Sequence, residues 1–367
     1  MTTLRGAIAS APGKLILMGE HAAVYGCPAV IAAIGLRSCV TIERVADNDE
    51  TVTLDLPDIA STQVSDWREL HDYARRARLR WEHFDATPTP DNFARVRGTD
   101  PAHLVKIVIG ECLQYVGHHA LPGASIQLRS TIPIGAGFGS SAALAVSLAA
   151  GLLASQGRAP DPEGVATIAL QAERRQHGRP SGIDHHAVLL GGVARAVRDA
   201  SGRLDVRPVE AGLANLRDLL GHVAVYDTGA ADDATGAVVA AVKPHFTRAD
   251  RSLLDRMTRT TQTFIAMLAS PPPRSRAAMV NLVRDYEGSL EDIGVVPARV
   301  QATIREIECA GGAAKICGAG AIHGDSAGAL LVIWPDAPPE PLPTGLRSHT
   351  PIPVALAAPG YTVETFA

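Results

Sequence analysis

The spacing of apolar residues changes several times along this chain, and the changes mark its elements. Residues 6–19 open on a short apolar segment broken at Ala11-Pro12-Gly13 and run on through Lys14-Leu15-Ile16-Leu17-Met18. This predicts a strand entering a turn at Gly19-Glu20-His21. Residues 28–34 and 38–43 read as two further apolar segments, the second a strand, and residues 51–56 alternate as a half-buried strand does. A highly charged helix is predicted over 66–85, broken by Pro88-Thr89-Pro90-Asp91-Asn92, then a helix over 101–117 and a strand over 125–129. Helices follow over 140–155 and 162–177. In the latter, Val165, Ile168, Ala169 and Ala172 fall at helical spacing, and His177-Gly178 with Pro180 beyond provide stop chemistry. A strand resumes over 191–196, and 198–218 is polar and irregular. The second half predicts a strand over 222–226 and helices over 234–243, 248–269, 275–292 and 297–310. Pro271-Pro272-Pro273 separates the second and third of these. A buried strand over 327–334, a Pro-rich loop over 335–343 and one or two closing strands end the series. No internal repeat is visible. The order predicts an α+β protein of two domains, residues 1–205 and 206–367, and not a regular βαβ series.

Composition narrows the class. The 367 residues are 46% hydrophobic and 20% charged, with 4% aromatic, which predicts an Ala/Val/Leu/Ile core. Net charge is −4, and no Lys/Arg-rich stripe asks for nucleic acid. Five cysteines form no C-x-x-C pair and read as reduced thiols. Arg5 is not followed by an apolar signal region, and the apolar helix over 142–154 is shorter than the roughly 18–20 residues a bilayer needs. A soluble cytoplasmic protein without membrane or nucleic-acid partners is expected.

The candidate chemistry centres on Pro133-Ile134-Gly135-Ala136-Gly137-Phe138-Gly139-Ser140-Ser141-Ala142-Ala143. Glycines let backbone amides approach an anion, and amides at a helix start point at it without carbonyl partners. The serine hydroxyls add donors or a metal ligand. A Walker loop would need a lysine after Gly139, and a dinucleotide fingerprint would need G-x-G-x-x-G within a βαβ unit; neither is present.

A strand, then Pro-x-Gly-x-Gly-x-Gly-Ser-Ser-Ala-Ala, then a helix resembles the central motif of the GHMP kinases, the galactokinase, homoserine kinase, mevalonate kinase and phosphomevalonate kinase superfamily. Residues Ala11 to His21 resemble its first motif, and Lys315-Ile316-Cys317-Gly318-Ala319-Gly320 its third. Gly19-Glu20-His21-Ala22-Ala23-Val24-Tyr25-Gly26 is similar to the mevalonate kinase branch, where galactokinases read G-E-H-T-D-Y. The stretch from Glu173 to Asp184 matches that branch's E-x-x-x-H-G-x-P-S-G-x-D; Asp227-Thr228-Gly229 with Thr235, and residues 290–295, also look like it.

The resemblance implies a GHMP kinase fold: an N-terminal mixed α/β nucleotide-binding domain and a C-terminal ferredoxin-like α+β domain. It implies ATP-dependent phosphorylation of mevalonate to 5-phosphomevalonate in isoprenoid biosynthesis, with Mg²⁺, by a monomer or homodimer. A sibling kinase acting on phosphomevalonate or another hydroxy acid, and a sensor that binds without turnover, remain alternatives. By the same resemblance Pro133, Gly135, Ala136, Gly137, Phe138, Gly139, Ser140 and Ser141, with Gly318, Ala319 and Gly320, hold ATP. Ser141 and Glu173 hold Mg²⁺. Asp184 accepts the proton of the attacking hydroxyl beside Lys14, whose ammonium neutralises developing charge. Glu20, His21 and Thr235, with Lys14 and Asp184, contact the acceptor. His185 and His186 are adjacent and point apart, which favours packing or substrate-edge roles. Lys14, Arg174, Arg175 and Arg179 are the basic residues that the motif blocks supply for a phosphorylated acceptor, and they leave the choice of acceptor open. The chain departs from the family's G-A-G-G-G-G where Ala321-Ile322-His323-Gly324-Asp325 continues the third motif, and Phe138 replaces a leucine.

Overall fold

The computed structural model describes residues 5–45, 50–117, 121–199, 201–209, 212–233, 235–247, 250–270, 275–349 and 351–367. Pro271-Pro272-Pro273 lies outside them. The strands are β1 (Gly6–Met18), β2 (Ala29–Arg44), β3 (Thr51–Leu56), β4 (Ser61–Asp66), β5 (Ala124–Ser130), β6 (Val193–Arg198), β7 (Leu204–Pro208), β8 (His222–Asp227), β9 (Ala313–Cys317), β10 (Ala329–Trp334), β11 (Pro351–Ile352) and β12 (Thr362–Phe366). The helices are α1 (Trp67–Ala86), α2 (Pro90–Arg97), α3 (His103–Val116), α4 (Ser140–Ser155), α5 (Pro162–His177), α6 (Ile183–Leu190), α7 (Gly212–Leu220), α8 (Thr235–Thr247), α9 (Ser252–Ala269), α10 (Arg276–Asp292), α11 (Ala298–Cys309) and α12 (Thr344–Arg347).

Among the described residues the strands form two sheets. The first runs β12-β1-β2-β5-β3-β4, with β6 against β2 and β7 against β6. Its pairs are antiparallel except β3 with β5. The break expected at Ala11-Pro12-Gly13 is a register shift inside one long strand. The two apolar segments expected at 28–34 and 38–43 are likewise one strand. Its residues 38–44 pair with β5, while residues 29–32 pair with β6. The second sheet is antiparallel, β11-β8-β10-β9, with α10 and α11 packed against β9. The stretch expected to be irregular at 198–218 instead contains β7, still in the first sheet, and α7, which packs against α9 and α10.

α4 is apolar on every side and buried along nearly its whole length against β1 and β2, as an all-apolar helix must be. α5 packs on α4, α3 on both, and α1 on α3. The charged α1 thereby acquires a purpose. Its Arg78 and the buried Arg175 of α5 share Glu111 of α3, at 2.9 and 3.5 Å. Its Trp81 Nε1 donates to the Gly178 carbonyl at 2.8 Å. The outer helices thus fix the C-terminal end of α5, where the candidate site begins.

Candidate active site

Gly135, Gly137 and Gly139 have φ of 79°, 84° and 71°, the left-handed region that favours glycine. A Cβ at Gly139 would lie 2.8 Å from Lys14 Cγ, and one at Gly137 would lie 2.9 Å from the Cys317 carbonyl oxygen. The loop therefore lets the Lys14 stem pass on one side and rests on the end of β9 on the other. Phe138 anchors it: the ring is buried, and its carbonyl accepts the Lys14 backbone N–H at 2.8 Å. Gly139 caps α4 with no side-chain hydrogen bond, which leaves the first-turn amides, including those of Ser140 and Ser141, aimed into the loop.

Lys14 Nζ stands 3.3 Å from Asp184 Oδ1; the lysine is buried and the aspartate half-exposed. Asp184 was expected in a tight turn. The turn ends at Gly182, with φ of 81°, and Asp184 sits in the first turn of α6, where a helix favours an acid. Glu173 of α5 is 2% exposed, and its Oε2 lies 2.9 Å from Nδ1 of the fully buried His185. His185 is thus a core partner of Glu173, and His186 bonds the Gly182 carbonyl at 2.8 Å. Ser141 Oγ lies 2.9 Å from Nε2 of His177, one helical turn beyond Glu173. Crowding by the cleft walls pushes the His177 imidazole below its ordinary range, against the nearby carboxylates of Glu173 and Asp184.

The first and third motifs are bound to each other. Glu20 is buried in an ion pair with Lys315, whose Nζ also donates to the Ile316 carbonyl at 2.8 Å. The Tyr286 hydroxyl donates to the Glu20 carbonyl at 2.9 Å, and Glu287 accepts the Ile316 N–H at 3.0 Å. Burial pushes the Glu287 carboxyl up to about 8, and it raises Glu20 against the pull of Lys315. His21, with φ of 58°, donates from Nε2 to the Ala319 carbonyl at 3.0 Å. Glu20 therefore faces Lys315, and His21 of the same turn is tied to the backbone of the third motif.

The altered segment after Gly320 has a definite path. Asp233 Oδ2 accepts the N–H groups of Ile322 and His323, both at 2.8 Å, and Oδ1 meets His323 Nδ1 at 2.9 Å. These bonds, the His323 ring first, hold the Asp233 carboxyl below the usual range. Thr228 joins β8 to the approach of β10 through Gly328 and Ala327. Thr235 opens α8 and is exposed, and it makes no hydrogen bond to the cluster among the described residues. The arginines expected nearby are committed elsewhere: Arg174 lies over the Trp81 ring, Arg175 meets Glu111, and Arg179 meets Asp85 at 3.0 Å.

Residues 103–192 match the family described as GHMP kinases N terminal domain. This span carries the glycine loop, Ser141, Glu173, His177 and Asp184. The chain is 34% identical to a mevalonate kinase of Bos taurus over 215 residues, 51% of this chain and 53% of that one. It spans about half the length of the curated relatives it matches. In fold it is similar to a crystal structure of mevalonate kinase, with a TM-score of 0.72, 17% identity, and 95% of this chain and 98% of that one covered. It is also similar to an L. major mevalonate kinase in complex with R-mevalonate, with a TM-score of 0.65, 17% identity and 95% of each chain covered. The family match thus covers the stretch that carries the glycine loop and Asp184, and the structural likeness extends over nearly the whole chain.

Lys14, Asp184 and the glycine loop converge from β1, α6 and the start of α4. Reading the sequence missed three residues. His177 sits inside the matched motif but was read only as a helix stop. His185 was read beside its neighbour rather than against Glu173. Lys315 was read as part of a loop motif, whereas it is a buried strand residue; a lone lysine in a run otherwise free of charge was the available signal. Among the described residues no helix is long and apolar enough to cross a membrane.

Proposed function

We propose that the protein is a GHMP kinase that transfers the terminal phosphoryl group of ATP to the hydroxyl of mevalonate, giving 5-phosphomevalonate and ADP. The observation that carries the reading is Lys14 Nζ at 3.3 Å from Asp184 Oδ1, beside a glycine loop with uncapped helix amides. Phosphoryl transfer has a loose transition state, so positioning and charge neutralisation do most of the work. The amides of residues 135–141 hold the triphosphate, with the backbone of Gly318, Ala319 and Gly320 closing the far side. The Asp184 carboxylate takes the proton of the acceptor hydroxyl as its oxygen bonds the γ-phosphorus. The bond from that phosphorus to the β–γ bridging oxygen breaks, and ADP departs. Lys14 holds Asp184 in line and offers positive charge to the transferring group.

Ser141 and Glu173 are the residues that would hold magnesium. They fit: both are hard oxygen donors, and Glu173 is a buried carboxylate whose one basic partner among the described residues is a histidine. When bound, the ion neutralises phosphate charge. His21 and Thr235 are proposed to line the acceptor side, with Glu20 acting through its hold on Lys315. The choice of mevalonate over phosphomevalonate is supported by the engagement of Arg174, Arg175 and Arg179 with α1 and α3, away from an extra acceptor phosphate. The curated mevalonate kinase of Bos taurus named above supports the same acceptor. We place the division between the nucleotide-binding and closing domains after β7 rather than at 205, because β7 pairs in the first sheet. The five cysteines are free, which supports a cytoplasmic setting.

The test is ADP release measured across mevalonate, phosphomevalonate, homoserine and galactose, with Asp184→Ala alongside. Mevalonate should give the highest kcat/KM, and the variant should lose about 10²- to 10⁴-fold in kcat while keeping its nucleotide affinity. A different preferred acceptor, or near-normal turnover by the variant, would sink the reading.

A further inference from the structure

His177 closes α5 and reaches across to the first turn of α4, where its Nε2 lies 2.9 Å from Ser141 Oγ. The residue keeps an exposed face although its neighbours crowd it, so it is not a core histidine. It does not cap its own helix either, since the Gly178 N–H closes α5 on the Arg174 carbonyl. Ser141 has no other side-chain hydrogen bond among the described residues, and the cap of its helix, Gly139, offers no side chain to fix it. One imidazole therefore sets the rotamer of the hydroxyl. A hydroxyl that turns a lone pair toward a cation must direct its proton elsewhere, and an unprotonated ring nitrogen is an acceptor for it. Partners of this kind, one bond behind a ligand, orient it.

We propose that His177 is a positioning residue of the phosphoryl-transfer site: its Nε2 accepts the Ser141 hydroxyl proton and so points the oxygen lone pairs at the cation carried by the nucleotide. This rests on the reading of Ser141 as a metal-holding residue. His177→Phe keeps the bulk and removes the acceptor. His177→Gln returns a carbonyl oxygen at about the reach of Nε2.

Manganese binding to the full chain with a non-hydrolysable ATP analogue, followed by electron paramagnetic resonance, tests the proposal without turnover. His177→Phe should weaken Mn²⁺ binding about 10- to 100-fold, and His177→Gln should restore it to within about threefold. In a Ser141→Ala background His177→Phe should add nothing, since the two act as one unit. Unchanged Mn²⁺ binding by His177→Phe, or an equal further loss in the Ser141→Ala background, would overturn the proposal. If His177→Phe does not fold, His177→Asn, whose amide stops short of Ser141, should show the same loss. Failure of the unaltered protein to bind Mn²⁺ with the analogue would overturn the metal reading itself, and the proposal with it, while leaving the acceptor panel to stand separately.

Discussion

Gly139 holds a left-handed φ of 71° with the Lys14 stem where a Cβ would go. Alanine there costs about 1–2 kcal/mol in backbone strain and also pushes Lys14 away from Asp184. Gly139→Ala should therefore lower kcat at least about tenfold, more than its loss of stability accounts for. Steady-state kinetics read beside a thermal melt check this, and a kcat that merely tracks the melt would remove Gly139 from the site. At this scale much was legible. Lys14, Asp184, Glu173 and the glycines carry recognisable spacing, because chemistry that needs a backbone amide or a carboxylate at a fixed place leaves a local pattern. The contacts of His177 with Ser141 and of His185 with Glu173 were not legible, because they depend on residues of other elements and not on sequence neighbours. Glu20 was legible as a motif residue, yet its buried partner is supplied by a strand nearly the whole chain away.

The elements around that partner make a sealed electrostatic joint. The turn after β1, α10 and β9 bring Glu20, Glu287 and Lys315 into one buried cluster, with the Lys315 ammonium paired to Glu20 and Glu287 bonded to the Ile316 N–H beside it. Lys315→Met leaves Glu20 buried without a counter-charge and should cost about 3–5 kcal/mol, read by chemical denaturation. Adding Glu20→Gln should recover a large part of that loss, and no recovery would mean the lysine acts alone. Glu287 gives the joint a pH dependence. Its carboxyl is pushed up to about 8 when folded against 4.5 ordinarily, so its stabilising effect is full below 4.5 and is lost as pH rises through about 8. Glu287→Gln mimics the protonated acid at every pH. Its Tm should fall less than that of the unaltered protein between about pH 5 and pH 9, and parallel profiles would sink the assignment. Among the elements, α4, α5 and α8 to α11 were legible from periodicity and stop chemistry. α6 was hidden by the turn residues that start it. β7 and α7 were hidden by a polar stretch whose pairing partners decide its structure. The purpose of α1 became visible only once Trp81 and Arg78 met α5 and α3.

At the scale of the molecule, β12 returns from the second half of the chain to complete the first sheet, pairing residues 362–366 with residues 6–10. Tyr361 fastens it further, donating to the Pro160 carbonyl at 2.8 Å. Removing residues 361–367 should leave an open edge on β1, lowering Tm and producing concentration-dependent oligomers on size-exclusion chromatography; a monomer of unchanged Tm would make the strand dispensable. The arrangement also has a consequence for how the chain is made. β1 carries Lys14, and its outer neighbour β12 is translated only after the whole intervening stretch of chain, since residues 6–10 pair with residues 362–366. At roughly 5–20 residues per second, that edge waits on the order of tens of seconds before its partner exists. During that interval the strand that carries Lys14 has an unpaired edge, so the yield of folded protein in a cell should be governed by whatever shields β1 while the rest is still being synthesised.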